Sequence, residues 1–144
     1  MNIKQALKKK NKLTAKINQE FNKLNTYNSV EIGNDRPYSA QESLDNYIAL
    51  IEELIVLKTA IHKANQPVYD KIFRLSELKS VVKNLKTLNC TEGKKARMRF
   101  VESESRVLEA EINTVKRDLL VEKYEEEIEQ IQDELDNFNQ FTII

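Results

Sequence analysis

The sequence predicts an all-α protein, and three observations lead to that class. Its 144 residues include only 2 Gly and 2 Pro, which is too little turn chemistry for a many-stranded sheet. Charged residues make up 32% of the chain, and apolar residues recur every three or four positions over long stretches. One His, one Cys and no Trp leave little material for a His and Cys metal cage or a nucleophile–base pair. We therefore expect long helices, with no catalytic residue, no metal site and no cofactor.

The first predicted helix runs from about residue 2 to residue 27. Its apolar residues lie at helical spacing on one face, and lysines fill many of the other positions. These apolar residues are Ile3, Ala6, Leu7, Leu13, Ile17, Phe21 and Leu24. The stretch 30–37 combines Gly, Asn, Asp and Pro, as loops do, and it is the clearest linker in the chain.

The second predicted helix covers about residues 39–65 and begins at a capping box formed by Ser39 and Glu42. Its apolar arc is wider than a single coiled-coil stripe. One seam contains Leu44, Ile48, Ile51 and Ile55, and the other contains Tyr47, Leu50, Leu54, Leu57, Ile61 and Ala64. We therefore expect this helix to be sandwiched between two partners.

Two further helices are predicted after Pro67. Because proline removes a backbone donor, the chain either kinks there or restarts with Pro67 in the first turn of a third helix, at about 67–88. A short turn follows at 89–93, in which Asn89 or Gly93 can adopt a positive φ angle. No Gly or Pro occurs after Gly93, so a final helix is predicted at about 94–138. All four helices are assigned to a single domain, 1–144.

Charge and length suggest how these helices assemble. Residues 1–23 carry seven Lys against one Glu, or +6, whereas residues 118–136 carry nine acids against one Lys, or −8, so these segments should be neighbours. A rod over 39–88 would be about 75 Å long and the final helix about 67 Å. The expected fold is a long antiparallel helical hairpin, kinked at Pro67, with the N-terminal helix packed on its base. This is a three-helix bundle with a coiled-coil arm, and its rival is a compact four-helix bundle broken at Pro67.

The predicted tip of the arm is a candidate anion-binding site. Residues 79–99 carry seven basic side chains against Glu92, or +6. The candidate residues are Lys83, Lys86, Lys94, Lys95, Arg97 and Arg99. They could hold phosphates, but only Phe100 is present for base stacking, so a solvated face or a protein contact is favoured over nucleic acid.

Three other features are interpreted as structural or incidental and not as functional sites. His62 follows Ile61, where a structural or surface role outweighs catalysis because no Ser or Cys nucleophile lies near it in sequence. The acidic run 125–127 points around a helix and does not favour a cation site. Cys90 occupies a turn beside basic residues and is interpreted as an incidental thiol.

The end of the sequence is a candidate interface. Four large apolar residues follow the acidic helix, and leaving each in water would forgo roughly 1.5 to 3 kcal/mol. They are Phe138, Phe141, Ile143 and Ile144. We expect them to pack against the base of the bundle or another subunit, with a frayed tail as the alternative.

Three stretches carry a resemblance to a known group. They are 34–38 (NDRPY), 61–65 (IHKAN) leading to 74–79 (RLSELK), and 131–139 (IQDELDNFN). Together they resemble a group of small bacterial and phage coiled-coil proteins, whose relatives are often labelled septicolysin-like. The resemblance implies an all-helical, non-enzymatic protein, assigns no catalytic residue, and carries a label that hints at a cytolysin.

The leading functional hypothesis is a non-catalytic structural or interaction protein. It would act through helical self-association or attachment to a larger assembly, such as a phage particle, so its expected partner is protein. The alternatives are nucleic-acid binding through the basic tip and, less favoured, membrane activity as a cytolysin. No secretory signal and no apolar run of roughly 20 residues is visible, so a cytoplasmic or virion location and no transmembrane segment are expected.

Overall fold

A computed structural model describes residues 1–96 and 105–144. Within these residues the chain forms four α-helices and one two-stranded antiparallel sheet. The helices are α1 (Ile3–Tyr27), α2 (Ala40–Asn65), α3 (Tyr69–Lys86) and α4 (Thr114–Phe141), and the strands are β1 (Gly93–Ala96) and β2 (Ser105–Leu108). The predicted all-α class is confirmed, and the first three helices begin and end within two residues of their predicted positions.

Short polar side chains begin three of the four helices. Asn2 caps α1 with a full capping box, in which its Oδ1 accepts from the Gln5 amide at 2.8 Å and the Gln5 side chain accepts from the Asn2 amide at 3.0 Å. Ser39 Oγ accepts from the Glu42 amide at 3.2 Å, as predicted for α2. Asn113 Oδ1 accepts from the Lys116 amide at 2.9 Å and so caps α4.

The linker between α1 and α2 is held by one arginine. Arg36 donates from Nε to the carbonyl of Tyr27 at 3.0 Å and from its terminal nitrogen to the carbonyl of Asn28 at 3.1 Å. These carbonyls belong to the end of α1, where no following helical turn supplies amides to donate to them. Tyr38 packs on Tyr27 with ring centroids 5.4 Å apart, which fixes the far end of the linker against the same helix end.

The chain passes Pro67 in a 3-10 turn, Gln66–Val68. Asn65, Gln66 and Tyr69 all keep right-handed helical torsions, and Pro67 lies in the first turn, where its missing amide is tolerated. Of the two predicted alternatives, the restart of a third helix with Pro67 at its beginning is the one observed.

The predicted helix at 94–138 is wrong at 94–96 and at 105–113, and residues 97–104 of it lie outside the described residues. β1 and β2 pair there in an antiparallel hairpin, with Gly93 opposite Leu108 and Ala96 opposite Ser105, and the helix begins only at Thr114. Gly93 has φ +94°, so of the two residues predicted to take a positive φ angle it is Gly93 that does so, at the start of β1. The final helix instead starts at the Asn113 cap, further along the chain.

The chain divides into two compact units. The first contains residues 1–69 and 136–144, and the second contains residues 70–135. In the first unit α1 and α2 pack as an antiparallel pair: Lys9 forms an ion pair with Glu53 at 2.7 Å, and the rings of Phe21 and Tyr47 lie 5.6 Å apart.

The core of the first unit lies where the beginning of α1 meets the end of α2. Ala6, Leu13, Leu57 and Ile61 form this buried cluster. The half-buried residues Leu7, Leu50, Leu54 and Ile144 pack against it. Asn2 and Ile143 form an isolated antiparallel β-bridge, so the segment after α4 is attached beside the start of α1.

The prediction that both seams of α2 are covered is wrong. The seam containing Leu54, Leu57 and Ile61 belongs to the core, but Ile48 and Ile55 on the other seam each leave 51% of their surface exposed. The physical reason is the composition of the first unit. Within that unit α1 is the helix that packs along α2, and of α4 only residues 136–141 belong to it, so one seam of α2 has a helical partner there and the other has none.

In the second unit, ion pairs join α3 to α4. Lys71 pairs with Glu134, Arg74 Nε lies 2.5 Å from Glu127 Oε1, and Lys86 Nζ lies 2.7 Å from Glu125 Oε1. Each helix also buries apolar residues: Leu75, Leu78 and Val82 in α3, and Val121, Ile131 and Leu135 in α4. The acids of α4 were predicted to face the lysines of the first helix, but these three ion pairs connect them to α3.

Candidate interaction surface

The exposed seam of α2 consists of Leu44, Ile48, Ile51 and Ile55. Their spacings of 4, 3 and 4 residues follow a heptad pattern, so the four side chains form one stripe along the helix. Ile48 and Ile55 are each 51% exposed, and Leu44 and Ile51 are half-buried. An aliphatic stripe of this length, rather than scattered apolar residues, is typical of a helix face that packs against another helix.

Polar residues continue the same stripe at both ends. Gln41 precedes Leu44 by three positions, and Lys58 follows Ile55 by three. Gln41 Nε2 donates to Asp45 Oδ1 at 2.9 Å, so a carboxylate lies beside the first end of the seam. The exposed seam therefore has an acidic group near the start of α2 and an ammonium group near its end.

The neighbouring residue Val56 provides an internal comparison. Val56 is 69% exposed, more than Ile55, but one helical step turns it about 100° around the axis and away from the seam. Its side chain thus reaches solvent without belonging to the aliphatic stripe.

The predicted C-terminal interface is divided between core and solvent. Ile144 packs against the core cluster of the first unit, and its amide donates to the Met1 carbonyl at 2.9 Å. Phe138 is half-buried, whereas Phe141 and Ile143 are each 73% exposed. Ile144 therefore packs in the first unit, and the role of this segment as an interface stays a prediction.

The predicted basic tip is only partly within the described structure. Lys83 is exposed, and Lys86 forms its ion pair with Glu125. Lys94 and Lys95 lie in β1, opposite Val107 and Arg106 in the register of the hairpin. Arg97 and Arg99 lie outside the described residues. The structure therefore assigns an acidic partner to Lys86, and the basic tip as an anion-binding site stays a prediction.

His62 takes part in a local contact at the Pro67 turn. The Tyr69 hydroxyl donates to the backbone carbonyl of His62 at 3.0 Å and also contacts His62 Nδ1, and the two rings lie 5.2 Å apart. These contacts link the last turn of α2 to the first residue of α3. The sequence predicts a structural or surface role for His62, and these contacts with Tyr69 agree with a structural one.

In the second unit, the ion pair between Arg74 and Glu127 shifts the pKa values of both side chains. The hydrogen bond from the Arg74 guanidinium holds the pKa of the Glu127 carboxyl below its ordinary value of 4.5, and the positive charges of Arg74 and Lys123 act in the same direction. Glu127 in turn raises the pKa of Arg74. Both side chains remain accessible to water, so the pair is a surface contact between helices.

The remaining surface offers shallow grooves. One, of about 350 Å³, lies between the start of α1 and the last turn of α4 and is lined by Lys4, Lys8 and Asp136, among others. In the described parts of the chain, 1–96 and 105–144, no group of three or more His, Cys, Asp or Glu side chains could hold a metal ion. Over the same residues no helix is both long and apolar enough to cross a bilayer.

Comparison with known proteins adds no family assignment. No protein-family model matches the chain, and neither a curated protein nor a solved structure is significantly similar to it. The fold itself defines the class: an all-α protein of antiparallel helix pairs, with one aliphatic seam left open on α2.

Proposed function

We propose that this chain is a non-catalytic structural or interaction protein that acts through helix-to-helix contact. Its partners are proteins, either further copies of the chain or a larger assembly such as a phage particle. The resemblance to septicolysin-like coiled-coil proteins agrees with a role of this kind. The proposal concerns the mode of action, which is the burial of apolar helix surface.

The observation that carries the proposal is the exposed seam of α2. Burying apolar surface contributes roughly 25 cal/mol per Å², and an aliphatic stripe at heptad spacing offers that surface in a form another helix can cover. A solvated helix needs only one apolar face toward its own core, and α2 already has that face in Leu54, Leu57 and Ile61. The second stripe therefore supports association with another molecule.

Sedimentation velocity of the full chain tests the proposal. Over roughly 1 to 100 µM we expect a species whose mass is a multiple of 16.8 kDa, with its fraction increasing with concentration. Covering the seam should also reduce binding of a dye that reports exposed apolar surface. A chain that remains monomeric at about 100 µM, with the dye bound at every concentration, would contradict self-association.

A further inference from the structure

The exposed seam of α2 carries different charges at its two ends. Asp45 lies beside its first aliphatic residue, and Lys58 continues the stripe after its last. A surface with opposite charges at its two ends is complementary to itself only after a half-turn, which reverses one of the two helices.

The aliphatic residues also fit an antiparallel arrangement. When Ile48 of one helix faces Ile51 of the other, Leu44 faces Ile55, and twofold symmetry repeats both pairs. Four aliphatic layers are then buried without interruption. In the next layer Lys58 of one copy faces Gln41 of the other, one turn from the Asp45 carboxylate to which Gln41 already donates a hydrogen bond.

A parallel arrangement lacks this complementarity. It places Lys58 directly opposite Lys58 of the second copy, within the stripe that should be buried, and like charges there oppose association. The antiparallel arrangement has two symmetry-related like-charged approaches, each between Asp45 of one copy and Glu52 of the other. Both are at the solvent edge, where salt screens them.

We infer that a second copy of this chain binds along the exposed seam of α2, with the two α2 helices antiparallel. This inference rests on the proposed function and makes it specific, because it names the partner, the surface and the direction. Two α1–α2 helix pairs would then form a four-helix arrangement in which both seams of each α2 are covered.

Cross-linking between single cysteines tests the direction. In a Cys90→Ser background, Gln41→Cys and Thr59→Cys are introduced into separate chains, since both positions are exposed and flank the two ends of the seam. The antiparallel arrangement brings Gln41→Cys of one copy beside Thr59→Cys of the other. With a short bismaleimide, we expect covalent dimers from the mixture and none from either variant alone.

Each outcome of this experiment has a defined meaning. Cross-linking of Gln41→Cys chains with one another would show a parallel pair and overturn the inference. A chain that sediments as a dimer but yields no cross-link in the mixture would also overturn it, since another surface would then be responsible, and the proposed function would stand. A chain that sediments only as a monomer would overturn the inference and the self-association form of the proposed function, leaving attachment to a larger assembly.

A matched pair of substitutions tests the surface. Ile55→Lys places a charge within the seam, and Val56→Lys places the same charge one residue later, outside it; both side chains are exposed, so neither change disturbs the core. We expect Ile55→Lys to raise the dimer dissociation constant at least about tenfold and Val56→Lys to leave it within about twofold. Equal effects would overturn the inference, and circular dichroism confirms that both variants are folded.

Discussion

The Asn2 side chain donates a hydrogen bond of 3.0 Å from Nδ2 to the backbone carbonyl of Gln140. The same side chain accepts from the Gln5 amide at 2.8 Å, so one residue both caps α1 and attaches the last turn of α4 to it. Because one short side chain makes both bonds, different substitutions of Asn2 can remove one of them or both.

Two substitutions of Asn2 should therefore lower the stability by different amounts. Ser retains a hydroxyl that can cap α1 but is too short to reach Gln140, whereas Ala loses both interactions. We expect Asn2→Ser to lower the free energy of unfolding by about 1 kcal/mol and Asn2→Ala by about 2 kcal/mol, measured by urea denaturation. Equal effects of the two substitutions would show that the cap contributes nothing, and an unchanged stability of Asn2→Ser would show that the bond to Gln140 contributes nothing.

The last two residues of the chain form a natural matched pair. Ile144 packs on the core cluster of the first unit, whereas its neighbour Ile143 is 73% exposed. We expect Ile144→Ala to cost about 1 to 2 kcal/mol of unfolding free energy, because half-buried methyl groups are lost, and Ile143→Ala to stay within about 0.5 kcal/mol. Thermal denaturation of the two variants at equal concentration measures the difference, and a larger loss for Ile143→Ala would contradict this placement.

Leu54 tests the seam of α2 that faces the core. Leu54→Asp would place a carboxylate against the cluster that contains Leu57 and Ile61, where desolvation of the charge is unfavourable. We expect a loss of more than about 2 kcal/mol and a broadened unfolding transition. Val56→Asp introduces the same charge on the exposed side and should leave the transition nearly unchanged. An unaltered melting curve for Leu54→Asp would show that this side of the helix is not packed.

The Glu127 carboxyl should titrate below its ordinary pKa of 4.5, because the Arg74 guanidinium donates a hydrogen bond to it. An acid whose pKa is lower in the folded state stabilises the fold above the unfolded pKa, and this stabilisation is lost as pH falls through the folded pKa. We expect Arg74→Met to raise the pKa of Glu127 toward 4.5 in an NMR titration. Lys123→Gln should raise it less, since Lys123 acts only through its charge. A pKa that does not change in Arg74→Met would refute this assignment.

The helix starts and ends were the part of the fold most accessible from sequence. Ser39 with Glu42 signalled α2 correctly, and Pro67 marked the boundary before α3, because caps and prolines act through bonds to their own neighbours. The hairpin was missed because the absence of Gly and Pro after Gly93 was taken as a helix signal. The two described strands, GKKA and SRVL, are only four residues long and do not alternate polar and apolar residues, so the local pattern did not indicate them.

The coverage of α2 could not be determined from local pattern. Its two seams, represented by Leu54 and Ile55, are equally apolar in sequence, and the packing of α1 decides which of them is covered. That packing depends on contacts between residues far apart in the chain, which a helical pattern does not encode. The candidate surface therefore became visible only once the exposed fraction of each side chain was known.

The Arg36 contacts to Tyr27 and Asn28 have a practical consequence for working with this protein. They fix the base of the linker, while at its outer turn Ile32 is fully exposed and Gly33 has open space around it. A short epitope or fluorophore-labelling peptide inserted between Gly33 and Asn34 would project into solvent and should not strain either helix. Such a tag would report on the assembly of the chain from the linker, outside both helices that it joins.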